Sequence, residues 1–317
     1  MIRNPQTLLR IAAAMCALGL SLFAAASLVS PPESVHVTLA PGVFYPLGPV
    51  QVRLDGFRIC SGKDGEVTDY VSELTLMGES GLRGAAVRVG HPLRIAQTRL
   101  YQADWKELPD GMRASVLECV RDPLVPVKEA GCWIMIAAAL LTIAGAACGG
   151  GRPGAGWVPA LCAALVAVFT WIVLDSVGVG SRSLPPVLRS GWFPVHLASY
   201  MCAYAVLAAA TLLSFLGRRH DALLLTLMRV GWALLTCGMT LGALWAQRSW
   251  GTFWSWDPKE TWALVTFLSY LLCLHLPSSR PALRTVFLVV SFLLLQMCWW
   301  GAGVLFPDAG SMHLYSR

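Results

Sequence analysis

Seven runs of apolar residues punctuate the chain, at 11–30, 132–148, 157–177, 195–216, 223–245, 261–276 and 285–305. Each approaches the roughly 20 residues with which an α-helix crosses about 30 Å of hydrocarbon, and the second and sixth are short. Between the first two lies the one long polar stretch, 31–130. Within it VHVTLA, VQVRLDGFRI, YVSELTLMGE and AAVRVGHPLRIAQTRLYQADW alternate apolar and polar positions or carry β-branched residues, with Pro and Gly between them, as short antiparallel strands do. The pattern predicts a mainly α, polytopic membrane protein with about seven transmembrane helices and one extracytoplasmic β-rich domain. It divides into a transmembrane anchor (1–30), the β-rich domain (31–130), a helix and cytoplasmic loop (131–156) and a helical domain (157–317).

Composition agrees with that class. Of 317 residues, 56% are hydrophobic and 13% charged, with mean hydropathy +0.60. The net charge of +6 is mostly arginine, and no basic cluster interleaves with aromatics, so no nucleic-acid partner is expected. Eight cysteines (16, 132, 148, 162, 202, 237, 273 and 298) lie in or at the edge of apolar runs and read as small buried hydrophobes. Cys60 and Cys119 lie in the polar domain, where an oxidising compartment would permit a disulfide. Without CxxC or CxxCH, the chain is neither a thioredoxin-like reductant nor itself a c-type cytochrome. P-loop, HExxH and GxSxG motifs are absent too.

With the N-terminus cytoplasmic, Arg3, Arg10, Arg152, Arg218, Arg219, Arg280 and Arg284 fall inside, against Arg182, Arg189, Arg248 and Lys259 outside. Seven spans then put the β domain, the Trp-rich segment and the C-terminus on the outer face. The first run reads as a retained anchor; a cleaved signal peptide is the alternative, given Arg3 and Arg10 before it and small residues near its end.

The stretch Trp250 to Trp262, WGTFWSWDPKETW, gathers four tryptophans around Asp257, Pro258, Lys259 and Glu260. Asp257 has the form of an N-cap, Pro258 of a first helical residue and Glu260 of the third position of a capping box, so the sixth helix starts at Pro258. Trp250, Trp254 and Trp256 then precede the helix and Trp262 sits on its first turn. An interfacial aromatic belt is the plainer account of the tryptophans; their clustering with three charges favours a platform for a large planar ligand such as heme.

Heme iron takes axial imidazoles, and the chain has six histidines. With Pro194 as the first residue of the fourth helix, His196 lies on its first turn at the outer face, and His313 lies in the Gly- and Pro-broken tail on the same face. His275 lies roughly 26 Å from the outer end of the sixth helix, too far for one porphyrin to reach both places. Arg248 and Lys259 are placed by charge and position to pair heme propionates. His220 reads as cytoplasmic surface, and His36 and His91 belong to the β domain.

The run WGTFWSWDPKETWALVTFLSYLLCLH is similar to the tryptophan-rich WWD signature of the CcsA/ResC cytochrome c biogenesis family. LPPVLRSGWFPVHLASYMCAYAVL resembles that family's preceding histidine segment, and SMHLYSR its C-terminal one, together covering about 157–317. VRVGHPLRIAQTRLYQADW resembles the strand motif of the partner subunit ResB, through Pro92, Leu93, Tyr101 and Gln102, with Gly90 and Gln97 departing from it. The whole looks like a short natural ResB–ResC fusion of the CcsBA type, a System II cytochrome c synthetase.

The resemblance implies a heme b carrier in which His196 and His313 are axial ligands outside, the Trp250–Trp262 segment with Asp257 is the platform, and His275 is an inner heme ligand. It departs from the fused family in having no histidine in 11–30 to share the inner heme. The implied activity is that of a holocytochrome c synthase, or heme lyase, acting alone or with a partner. A heme exporter or chaperone serving a separate ligase, and a structural scaffold with incidental tryptophans, are the alternatives. Implied partners are apocytochrome c bearing CxxCH, a thioredoxin-like thiol reductant, membrane lipid and a further ResB-type subunit; the implied location is the bacterial cytoplasmic membrane.

Overall fold

The computed structural model describes residues 4–79, 81–149, 157–177, 184–217 and 220–301. Helix α1 (Pro5–Val29) starts at Asn4, whose side chain accepts from the Gln6 N–H at 3.0 Å, with Pro5 in the first position where its missing N–H costs nothing. It lies antiparallel on α2 (Val125–Gly149). Glycines set the spacing: a Cβ on Gly19 would lie 2.7 Å from the Gly131 carbonyl oxygen, and one on Gly131 2.8 Å from that of Gly19. Two backbones touch this way only where side chains are absent.

The β domain is inserted between these helices. One buried group ties its entry to its exit: Lys128, 2% exposed, donates from Nζ to Asp122 Oδ2 at 2.7 Å and to the Ser30 carbonyl at 3.0 Å. The strands are β1 (Glu33–Leu39), β2 (Phe44–Leu47), β3 (Val50–Ser61), β4 (Val67–Gly78), β5 (Gly81–Arg88), β6 (Leu93–Ile95), β7 (Thr98–Glu107) and β8 (Arg113–Arg121). They form two antiparallel sheets, β1-β8-β7-β6 and β2-β3-β4-β5. Leu54, Leu74 and Val87 of one sheet and Leu39, Leu100 and Leu117 of the other share a core. Inside it Ser72 Oγ donates to Gln102 Oε1 and lies equally close to Ser115 Oγ, both at 2.6 Å, so the sheets are joined by polar atoms that satisfy one another. Cys60 and Cys119 are free thiols on different sheets, and burial pushes Cys119 up to about 11.

The remaining helices are α3 (Val158–Val177), α4 (Trp192–Ser214), α5 (Asp221–Trp250), α6 (Pro258–His275) and α7 (Pro281–Gln296), with a 3₁₀ turn Pro186–Arg189 before α4 and a π turn Met297–Gly301 after α7. The long α5 is central, packing on α2, α4 and α6, while α3 covers α4 and α7 lies against α4 and α6. The bundle core gathers Leu207, Met228, Tyr270 and Leu288, each at most 1% exposed.

The described residues thus hold seven helices over the seven apolar runs, but five are long and apolar enough to cross a membrane: α1, α2, α4, α5 and α7 with its π turn. The expectation of about seven spans is met in part, by these five. The described apolar part of α3, Val158–Ile172, is short, and α6 has only 18 residues including the polar Lys259, Glu260 and His275. The protein is a membrane protein by these helices, with the β domain at the end where α1 finishes and α2 begins. The start of α4 also differs. It begins at Trp192, so Pro194 is its third residue, tolerated because the first-turn N–H groups have no intrahelical partner. His196 therefore sits in the second turn.

Candidate functional site

The end of the bundle beside the β domain is built on α5. Its glycines leave space for α4: a Cβ on Gly242 would lie 2.6 Å from His196 Cε1, and one on Gly238 2.8 Å from the Tyr200 ring. His196 fills that space, its Nδ1 2.7 Å from the Gly238 carbonyl oxygen. A carbonyl only accepts, so Nδ1 carries a proton, as it does in an imidazole that ligates a metal through Nε2. The ring stacks on Trp245 at 6.1 Å and 21°, and meets Tyr200 edge-on at 5.1 Å. Trp245 is 1% exposed, donates its indole N–H to the Val187 carbonyl at 3.3 Å, and packs edge-to-face on Trp250 at 5.1 Å.

Beyond Trp250 the chain leaves α5 through Gly251, at φ +92° and with its N–H on the Gln247 carbonyl at 3.1 Å. Phe253 turns inward, 4% exposed and edge-on to Phe23 of α1 at 5.7 Å. Trp254 and Trp256 meet edge-to-face at 6.0 Å, Trp256 at φ +58° and 68% exposed. That conformation costs energy for a bulky residue. Glu260 supports it, its Oε2 accepting from Ser255 N (2.7 Å), Ser255 Oγ (3.2 Å) and Asp257 N (3.2 Å). Asp257 caps α6, accepting from Lys259 N at 2.8 Å, so the capping box read from the sequence is present.

Arg248 has structural partners. It lies over the Trp192 ring at 4.4 Å and 3.6 Å from Glu129, at a cavity of about 1040 Å³ between the β domain and the bundle, also lined by Asp69, Arg99 and Arg189. Lys259 is half-buried in the first turn of α6, and Trp262 follows three residues later, also half-buried. His275 is on the last turn of α6, exposed, with Nδ1 2.8 Å from the Leu271 carbonyl oxygen. His313 lies outside the described residues. The structure therefore brings His196, Trp250, the Trp254–Trp256 loop and the start of α6 to one end, and separates His275 from them by the length of α6.

Sequence reading missed Trp245, the ring stacked on His196, because it closes an apolar run and looks like core. Glu260 was read for its cap and not for its hold on the tryptophan loop. The glycines at 238 and 242, one helical turn apart, are the signal that α5 makes room for a large neighbour.

The family model described as cytochrome C assembly protein matches residues 129–306, and that of the ResB-like family matches 9–128. The cytochrome c biogenesis protein CcsA of Chlamydomonas reinhardtii is 32% identical, over 45% of this chain and 47% of its own length. The CcsA proteins of Prochlorococcus marinus strains MIT 9312 and MIT 9301 are 32% and 30% identical, each over 44% of this chain and 60% of their own length. The matched part thus spans about half to three-fifths of these relatives. With more than half of its residues under one family model and the preceding segment under the other, the chain belongs to the cytochrome c assembly family and carries a ResB-like region in the same polypeptide.

Proposed function

We propose that the protein holds heme b at the outer face of the cytoplasmic membrane and promotes its attachment to the CxxCH segment of apocytochrome c. Heme here is cargo and substrate. The carrying observation is His196, whose Nδ1 is held by the Gly238 carbonyl while its ring stacks on Trp245. A porphyrin supplies four ligands to its iron and leaves two axial positions, which imidazoles fill. Trp250, Trp254, Trp256 and Trp262 would face the macrocycle, with Trp256 carrying the largest open ring area of the three that precede α6. His313 would be the second axial ligand and His275 a ligand at an earlier, intramembrane stage of heme transfer. Lys259 and Arg248 would pair the propionates, Arg248 exchanging its contact with Glu129 to do so.

Attachment joins each cysteine to a vinyl group: sulfur bonds one vinyl carbon, the thiol hydrogen goes to the other, and no net oxidation occurs. The cysteines must arrive as thiols, which is the task of a thioredoxin-like reductant. The protein's contribution is orientation, holding vinyl groups and thiols in reach, while the cytochrome's own histidine replaces one axial ligand. The test is product. In a host without its own maturation system, this chain and an apocytochrome should yield cytochrome with covalent heme, and His196→Ala should yield none. Heme bound to the chain without covalent product would instead identify an exporter or chaperone that serves a separate ligase.

A further inference from the structure

The ResB-like region meets the tryptophan segment through one tyrosine. Tyr101 of β7 and Gln247 of α5, 146 residues apart and each 2% exposed, are joined by a hydrogen bond from Gln247 Nε2 to the Tyr101 hydroxyl at 3.1 Å. Gln247 acts twice, because its carbonyl also accepts the Gly251 N–H that ends α5. Gly251 is itself pressed onto the β domain: a Cβ there would lie 2.5 Å from Val120 Cγ2 and 2.7 Å from Tyr101 Cε2, and its φ of +92° disfavours any side chain. From this point a continuous series of contacts runs to the candidate ligand, with Trp250 edge-on to Trp245 and Trp245 stacked on His196.

We infer that Tyr101 is a positioning residue, through which the β domain sets the exit of the chain from α5 and hence the placement of the tryptophan loop beside His196. Tyr101 reaches heme only through Gln247, Gly251 and the rings. A buried amide left without its partner loses more than the bond itself is worth, so a single hydroxyl has leverage here. The neighbouring Gln102 serves a different end, holding the two sheets together through Ser72 and Ser115. Tyr101 thus looks outward to the bundle and Gln102 inward to the domain.

The effect on heme rests on the proposed outer heme site; the effect on the loop does not. The full chain in detergent is compared as wild type, Tyr101→Phe, Gln247→Leu, the double variant and Tyr45→Phe, the last altering a β-domain hydroxyl that accepts from Ala40 N at 3.3 Å within its own domain. Amide exchange at 251–257 should quicken about fivefold in Tyr101→Phe, with no further change in the double variant beyond Gln247→Leu, and stay unchanged in Tyr45→Phe. Unchanged exchange at 251–257 in Tyr101→Phe, or equal quickening in Tyr45→Phe, overturns the inference. In heme-loaded protein the reduction potential should shift in Tyr101→Phe alone of the two tyrosine variants. A wild type that takes up no heme counts against the heme site, and the exchange result still decides the role of Tyr101.

Discussion

At one end of the bundle the His196 imidazole donates to the carbonyl of Gly238, 42 residues away on another helix; at the other, His275 donates to Leu271, four residues back on its own helix. In both rings Nδ1 carries a proton, since a carbonyl only accepts. The surroundings differ, for His196 lies between the Trp245 face and the Tyr200 edge while His275 stands exposed on a last helical turn. A backbone carbonyl is enough to choose a tautomer. Holding the ring's orientation takes tertiary packing, and only the His196 end has the β domain, the glycines of α5 and the tryptophan loop to provide it.

The largest break in this contrast should come from the anchor of the β domain. Lys128→Ala leaves Asp122 buried without its cation, a change that typically costs about 3–5 kcal/mol. It should lower the melting temperature of the detergent-solubilised protein and raise amide exchange at 251–257, with little effect near His275. A smaller effect is expected from Glu260→Gln, which removes the charge that gathers Ser255 and Asp257. Loss of this cap should cost about 1 kcal/mol and show as faster exchange or proteolysis at 254–257. The smallest test concerns the β domain itself. Folding keeps the Cys119 thiol protonated to about pH 11 by burial, so at pH 8 a maleimide should label half-buried Cys60 well before Cys119, with the gap closing in denaturant.

Local chemistry made part of this site legible. The start of α6 follows from Asp257, Pro258 and Glu260 alone, because a capping box is completed within four residues. Alternation found the longer strands, yet β8 was not singled out, although it lies between β1 and β7 and completes a sheet with a strand about 80 residues earlier. Counting apolar runs found a helix for each run, while the polar residues at the start and end of α6 shorten its apolar length. The contacts of Tyr101 with Gln247 and of Trp245 with His196 join distant segments, and no periodicity within either segment encodes them. Gly242 and Gly251 are the partial exceptions: each marks a place where another element comes too close for a side chain.

The most direct test of the heme site is the visible spectrum of the purified full-length protein, with total heme measured as the pyridine adduct, for wild type beside His196→Ala, His313→Ala and His275→Ala. The account predicts a reduced low-spin, bis-histidine spectrum in wild type that is lost or converted to high spin in the first two variants and retained at the outer site in the third. Heme bound equally well, with an unchanged spectrum, in His196→Ala would contradict it.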